Sequence, residues 1–360
     1  MRIAYVYPKW HKTSFTIVSQ HHIEYLKDYF DIDEIDEIDF KRRGVVGHYD
    51  VLILHPLFFI TELRYDRLRC AREKCDVLVG FEVSDSDRIS NKAVDIANKC
   101  DLIIVPSSFA KYSFVNSGVK VRIEVVPHGV SDYFMSNEVF PSDPRIRRLL
   151  VGKTLNGYVY VLYFLWHSGF RKGADLVYKV MREIQRDYPN VVLVVKRGDI
   201  EDPYMSDLRR LKCFEVVGWL SERELVALYD LCDVCIVPSR GGGFELNAVE
   251  ALARGLPTLV PRWGCFLDYV EYCVPVDVES YVRLFGDNPV HVGRGASVSV
   301  LDFYFKLKTV IDDLEEYKER FRRRSKVIRE KYSWENVCKK LRDVICDVVQ
   351  GVCVGVQGSE

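Results

Sequence analysis

Short apolar runs alternate with amphipathic stretches along most of this 360-residue chain. The run "RIAYVYP" at 2–8 predicts a strand, and 16–30 predicts a helix with Ile17, Ile23, Leu26 and Phe30 at its apolar positions. Further strands are expected at 50–55, 76–81, 101–105 and 122–126, with helices between them. Near-continuous apolar strands separated by helices predict parallel sheets covered on both faces, an α/β architecture. The acidic stretch "DEIDEIDF" (33–40) has little hydrophobic drive and predicts an exposed strand rather than an acidic binding site.

The pattern then lapses. Residues 131–157, "SDYFMSNEVFPSDPRIRRLLVGKTLNG", carry two prolines, many polar residues and no clear period, which predicts a linker. A second strand–helix series opens at "YVYVLYFLW" (158–166), with strands expected near 191–196, 214–217, 233–237 and 257–260. From 301 onward the chain is charged and helical, and the closing "GVQGSE" is expected to be loose. Two doubly wound domains in series, followed by a helical tail, is the predicted organisation.

Composition narrows the function classes. Hydrophobic residues make 48% of the chain and charged ones 29%, as in a globular protein. A net charge of -1 gives no overall attraction to nucleic acid or to an anionic membrane. The basic clusters Arg145–Arg148 and Arg320–Arg324 read as solvated faces of a linker and a helix. No run approaches the roughly 18 apolar residues of a membrane span, and the N-terminal run is too short for a signal peptide. The eleven cysteines include one C-x-x-C (232–235) with no second Cys/His pair at zinc spacing. They read as buried thiols in a reducing compartment, the cytoplasm.

Two glycine-bearing turns attract chemical interest. In "IVPSRGGGFELNAVEALARGLP" (236–257) a strand ends near Pro238, three glycines follow, and a helix starts near Glu245. Glycine permits close backbone approach, and a helix start carries about half a positive charge, so an anion fits there. The alternative is a plain glycine-rich loop. Neither G-x-G-x-x-G nor the P-loop pattern is present. The turn "HSGFRKGADL" (167–176) repeats the layout and sets Arg171 and Lys172 at a second helix start, which suits a diphosphate. Solvated surface cations are the alternative here.

Together these motifs resemble a known family. The second half is similar to the donor-binding half of retaining glycosyltransferases of the GT-B fold, family four. The turn ending in Lys172-Gly173, "VVGWLSERELVALYDLCDVCIVPS" (216–239), "GGGFELNAVEALARGLP" (241–257) and "YSWENV" (332–337) stand in that family's order and spacing. The first half matches through "CDLIIVPSSFAKYSFVNSGV" (100–119) and "IEVVPHGVSDYF" (123–134). The resemblance implies two Rossmann-like doubly wound domains facing a cleft. An acceptor-side domain would span 1–135, a linker 136–157 and a donor-nucleotide domain 158–330. A helix over 331–360 would return to the N-terminal domain.

The resemblance also implies roles. The donor is a nucleotide-diphosphate sugar, and the acceptor is a hydroxyl on a glycan, a lipid-linked molecule or a small molecule. No metal, cofactor or nucleic acid is implied, and a peripheral membrane contact is compatible. Glu250 would bind the donor ribose. Gly243 and the amides of Phe244, Glu245, Leu246 and Asn247 would hold the distal phosphate. Lys172, assisted by Arg171, would hold the diphosphate, and backbone around Arg197-Gly198 and 217–220 would read the base. The leaving phosphate would accept the proton of the incoming hydroxyl.

Two departures stand out. The family's first glutamate, eight positions before the second, is Gly242 here, while Glu245 stands where glycine is common. Glu245 either takes over the sugar contact or is a solvent-facing helix-start residue. The first loop, "PKWHKTSF" (8–15), has no glycine. In the first half, Glu82 ends a strand and either orients the acceptor hydroxyl or caps local backbone. His55, also at a strand end, is either catalytic or structural. The "DSD" at 85–87 is explained by Ser84 or Asp85 capping the following helix rather than by a metal. Two rivals remain: a sugar-nucleotide epimerase of the same fold, and a catalytically silent sugar- or nucleotide-binding protein, which Gly242 keeps alive.

Overall fold

The computed structural model describes residues 1–136 and 139–357, so part of the expected loose end lies outside the described residues. The chain forms two compact units. One comprises Met1–Gly129, Phe285–Gly293 and the chain from Trp334, and the other Val130–Leu284 and Arg294–Ser333.

The first unit is built on six parallel strands: β1 (Arg2–Tyr7), β2 (Asp31–Asp36), β3 (Tyr49–Leu54), β4 (Cys75–Phe81), β5 (Leu102–Val105) and β6 (Arg122–Val125). Their order is β2-β1-β3-β4-β5-β6. The second unit repeats the plan with β7 (Val159–Leu165), β8 (Val191–Arg197), β9 (Cys213–Val217), β10 (Val234–Ile236), β11 (Thr258–Pro261) and β12 (Val274–Val276). Its order is β12-β11-β10-β7-β8-β9. Helices cover both faces, so the central strands are apolar along their length, and Val191 through Val195 are wholly buried. The winding direction reverses between β1 and β3 in the first sheet and between β7 and β10 in the second. Loops leaving two such neighbouring strands diverge to opposite faces and open a crevice at their carboxyl ends, the usual place for a ligand.

Several expectations need correction. The segment expected to link the domains, 136–157, contains a helix, Pro144–Asn156, that belongs to the second unit. Asp143 caps it, Pro144 opens it, and Ile146 and Leu149 bury themselves in that unit's core. Its apolar residues are split between the core, Ile146 and Leu149, and the surface, Val151 and Leu155, so they show no clean period. The boundary between units lies at Gly129/Val130, ahead of the expected 131–157 window. The strand expected across 33–40 stops at Asp36, whose side chain accepts the Ile38 N–H and starts the helix Glu37–Arg43. A hairpin of β13 (Val278–Arg283) and β14 (Arg294–Val298) was not anticipated within 158–330, and its tip, 285–293, belongs to the first unit. There Val290 O accepts from Ser90 N, and Arg88 O from Val292 N.

The last helix, Trp334–Gln357, also belongs to the first unit and packs on the helix Ser14–Leu26. Trp334 is buried, stacked on His21 with centroids 4.8 Å apart and set edge-on to His22 at 5.5 Å. Trp334→Ala is therefore expected to cost about 3–5 kcal/mol of stability through the cavity it leaves. Chemical denaturation checks this, and a loss below about 1 kcal/mol shows the helix is not anchored there.

Candidate functional site

In the second unit the loops that follow β7 and β10 meet at the switch point, and they carry the two glycine-bearing turns. After β7 the chain turns through 166–173 into the helix Ala174–Asp187, with Gly173 as its N-cap at φ +73°. A side chain at Gly173 would strike the Pro238 carbonyl of the other loop, so only glycine lets the two turns touch. After β10 the chain runs through 237–245 into the helix Leu246–Ala253, with Glu245 as its N-cap. Two helix N-termini thus open beside one another, each favouring negative charge.

Polar contacts lace the turns together. Arg240 N donates to Arg171 O at 2.7 Å, and Arg171 Nη1 donates to Gly241 O at 3.0 Å. The Arg240 guanidinium forks onto Asp175 at 2.7 and 2.8 Å and lies over the Phe170 ring. Lys172 Nζ donates to both oxygens of Glu245, at 2.8 and 2.7 Å. Glu245 is 2% exposed, which removes the alternative of a solvent-facing helix-start residue: the Lys172 ammonium draws its carboxylate inward.

Glu250 lies just over a turn into its helix. Its carboxylate accepts the Tyr229 hydroxyl at 2.7 Å, and enclosure raises its pKa to about 7. Arg197, at the end of β8, donates to Glu215 at 2.6 Å and to the Gly198 carbonyl at 3.0 Å. Gly243, Phe244, Leu246 and Asn247 all lie in the turn or first turn after β10, and Phe244 leans on Tyr269 and Tyr332. The structure therefore gathers Arg171, Lys172, Gly243, Glu245 and Glu250 around the switch point, with Arg197 at the end of β8, the next strand beside β7.

Sequence reasoning missed three features. Tyr229, which anchors Glu250, reads from sequence as one more apolar helix position. The Arg240–Asp175 fork joins residues 65 positions apart, beyond any local pattern. Trp166 and Trp219 follow β7 and β9, their rings edge to face at 5.8 Å and partly exposed. An exposed tryptophan next to a strand end was the available signal.

Glu82 and His55 belong to the first unit, at the carboxyl ends of neighbouring strands β4 and β3. Glu82 accepts the Phe58 N–H at 2.8 Å and the Val83 N–H at 2.9 Å, the contacts of a local cap. His55 is buried, its Nδ1 within 2.9 Å of the Tyr5 hydroxyl and 3.0 Å of Ser19 Oγ, its ring stacked on Phe81. Burial pushes its pKa well down, as for a neutral core imidazole. Aromatic rings enclose the imidazole at its strand end. The helix after "DSD" starts at Asn91 and is capped by Ser90, correcting the expectation for Ser84 or Asp85. Ser84 instead donates to Ser86 O. Among the described residues no cluster of His, Cys, Asp and Glu could hold a metal ion.

Burial raises the Glu82 carboxyl from its ordinary 4.5 to about 8. The folded protein thus keeps a proton that the unfolded chain has lost between these values. Glu82's contribution to stability is full below about pH 4.5 and is lost as pH rises toward 8. Glu82→Gln is expected to flatten that part of the stability–pH curve. Thermal unfolding from pH 5 to 8 checks it, and an unchanged slope refutes the assignment.

Residues 159–282 match the family described as glycosyl transferases group 1. The chain is 30% identical over 352 residues, 95% of its length, to Uncharacterized protein 356 of Sulfolobus islandicus rod-shaped virus 1, and covers 98% of that protein. It resembles the solved structure of HepE from Anabaena in complex with UDP at a TM-score of 0.69 and 13% identity, covering 96% of this chain and 100% of that one. This chain is a group 1 glycosyltransferase of the GT-B fold. The glycosyltransferase is also 25% identical over 233 residues to the GDP-mannose-dependent alpha-(1-6)-phosphatidylinositol monomannoside mannosyltransferase of Mycolicibacterium smegmatis, with 59% of each chain covered. Among its described residues no helix is long and apolar enough to cross a membrane.

Proposed function

We propose that this glycosyltransferase moves a sugar from a nucleoside-diphosphate sugar to a hydroxyl acceptor with retention at the anomeric carbon and without a metal ion. The observation that carries this reading is the pair of helix N-termini at the β7/β10 switch point, with Lys172 and Arg171 beside them. As the C1–O bond breaks, negative charge grows on the leaving diphosphate. The Lys172 ammonium, the Arg171 guanidinium and the amides of 244–247 stabilise it there, where solvent competes little. Glu250, held by Tyr229, takes the ribose hydroxyls, and Trp166 and Trp219 flank the end of the sheet where the base would lie. Arg197, committed to Glu215, shapes the backbone of that region rather than binding the base by its side chain. In the first unit Glu82 and His55 support the strand ends on the acceptor side. The leaving phosphate takes the proton of the incoming hydroxyl, so no separate base is required.

Incubation of the protein with radiolabelled nucleotide sugars, with and without chelator, tests the reading. The expected result is slow donor hydrolysis without acceptor, unchanged by chelator, and an α-configured product when an acceptor is added to an α-linked donor. Binding without turnover of any donor would make the chain a silent binding protein.

A further inference from the structure

Lys172, which the proposed mechanism assigns to the leaving diphosphate, already holds a complete anionic partner. Its ammonium meets both oxygens of Glu245, and that carboxylate is buried beneath it. The carboxylate reaches back over Gly242: a Cβ built at 242 would stand 2.5 Å from Glu245 Oε1. The absence of a side chain at 242 is therefore what lets the carboxylate fold onto Lys172. The internal anion occupies the cation that an incoming diphosphate needs.

A diphosphate set against the same ammonium would repel the Glu245 carboxylate and find two of the three ammonium hydrogens already taken. A bound diphosphate therefore competes with Glu245 for Lys172, and where it wins Glu245 loses its partner. A buried carboxylate stripped of its partner requires new donors. A nucleotide sugar brings the hydroxyls of the transferred sugar beyond its diphosphate, whereas a nucleoside diphosphate has only its ribose hydroxyls, which Glu250 takes.

The geometry points to a partner exchange at this site: Lys172 passes from Glu245 to the donor diphosphate, and the released Glu245 carboxylate takes hydroxyls of the transferred sugar. Resting on the donor reading proposed above, this makes Glu245 a device that discriminates substrate from product. Once the sugar has left, the carboxylate has only Lys172 to return to, and its return expels the nucleoside diphosphate. Gly242 and Glu245 act together in this, one supplying the space and the other the charge.

Titration calorimetry on the full chain tests the exchange with two matched probe pairs, UDP with UDP-glucose and GDP with GDP-mannose, using whichever pair the parent protein binds. In Glu245→Gln the competing charge is gone at nearly constant shape. Affinity for the nucleoside diphosphate is expected to rise about tenfold, as for removal of one charged competitor. Affinity for the nucleotide sugar is expected to stay within about threefold or to fall, because the carboxylate's bonds to the sugar go too. Gly242→Ala keeps the carboxylate but crowds it off Lys172, and should raise nucleoside diphosphate affinity in the same direction. Unchanged or weaker nucleoside diphosphate binding in Glu245→Gln, or an equal shift for both members of the pair, overturns the exchange while leaving the donor site standing. A parent protein that binds none of the four probes overturns the donor reading, and the exchange with it.

Discussion

Lys172→Ala is expected to lower turnover by on the order of a hundredfold to a thousandfold, the usual loss when one preorganised charge is removed from a developing anion. The attraction of this ammonium grows as the sugar–phosphate bond breaks, so it acts on the transition state and not on ground-state binding alone. Transfer and slow donor hydrolysis should fall together, since both break the same bond. Lys172→Arg should be partly active, keeping charge while changing geometry. The ion pair with Glu245 adds a second consequence. Removing Lys172 strands a buried carboxylate, and stability is expected to fall by up to about 3 kcal/mol, near the low end for a broken buried pair because the ammonium retains some exposure. The double variant Lys172→Ala/Glu245→Gln separates the two effects: it should regain the stability and remain slow. Stopped-assay turnover and denaturant unfolding measured on the three proteins decide this. Turnover of Lys172→Ala within about threefold of the parent means the phosphate site is misplaced.

Glu250→Ala is expected to weaken nucleotide binding by roughly 1.5–3 kcal/mol, about tenfold or more, if charge-assisted bonds to the ribose are lost. The carboxyl is poised for a pH signature as well. Enclosure holds its pKa near 7, while the bond from Tyr229 pulls it down, so it is largely protonated at pH 6 and largely ionised at pH 8. Ribose hydroxyls donate to the ionised form, so binding releases a proton below about pH 7 and affinity should climb from pH 6 to pH 8. A nucleotide sugar is the right probe, because its bridged diphosphate does not titrate in that range. Glu250→Gln should lose the slope. A folded Glu250→Ala that binds nucleotide sugar as the parent does, or a slope that persists in Glu250→Gln, removes Glu250 from the ribose site.

The sequence by itself determined the two strand–helix series, the parallel sheets and the turns at 167–173 and 240–247. Each of these is written locally, in apolar runs bounded by glycine, proline and capping residues, and local rules suffice to read it. Glu250 entered through the family resemblance, which implies a ribose carboxylate at that place in the helix. Tertiary structure alone decided the rest. It turned the supposed linker at 144–156 into a core helix, because Ile146 and Leu149 found partners in the second unit's core that no local period announces. It sent 285–293 to the first unit through backbone bonds to Arg88 and Ser90 that no periodicity announces. It buried His55 beneath Tyr5, Ser19 and Phe81, brought to one strand end only when β1, β3 and β4 align and the helix Ser14–Leu26 packs over them. It joined Lys172 to Glu245 across 73 positions. Sequence spacing placed each charge at a helix start, but the order of β7 beside β10 made them partners, since the energy of an ion pair depends on distance in space and not along the chain.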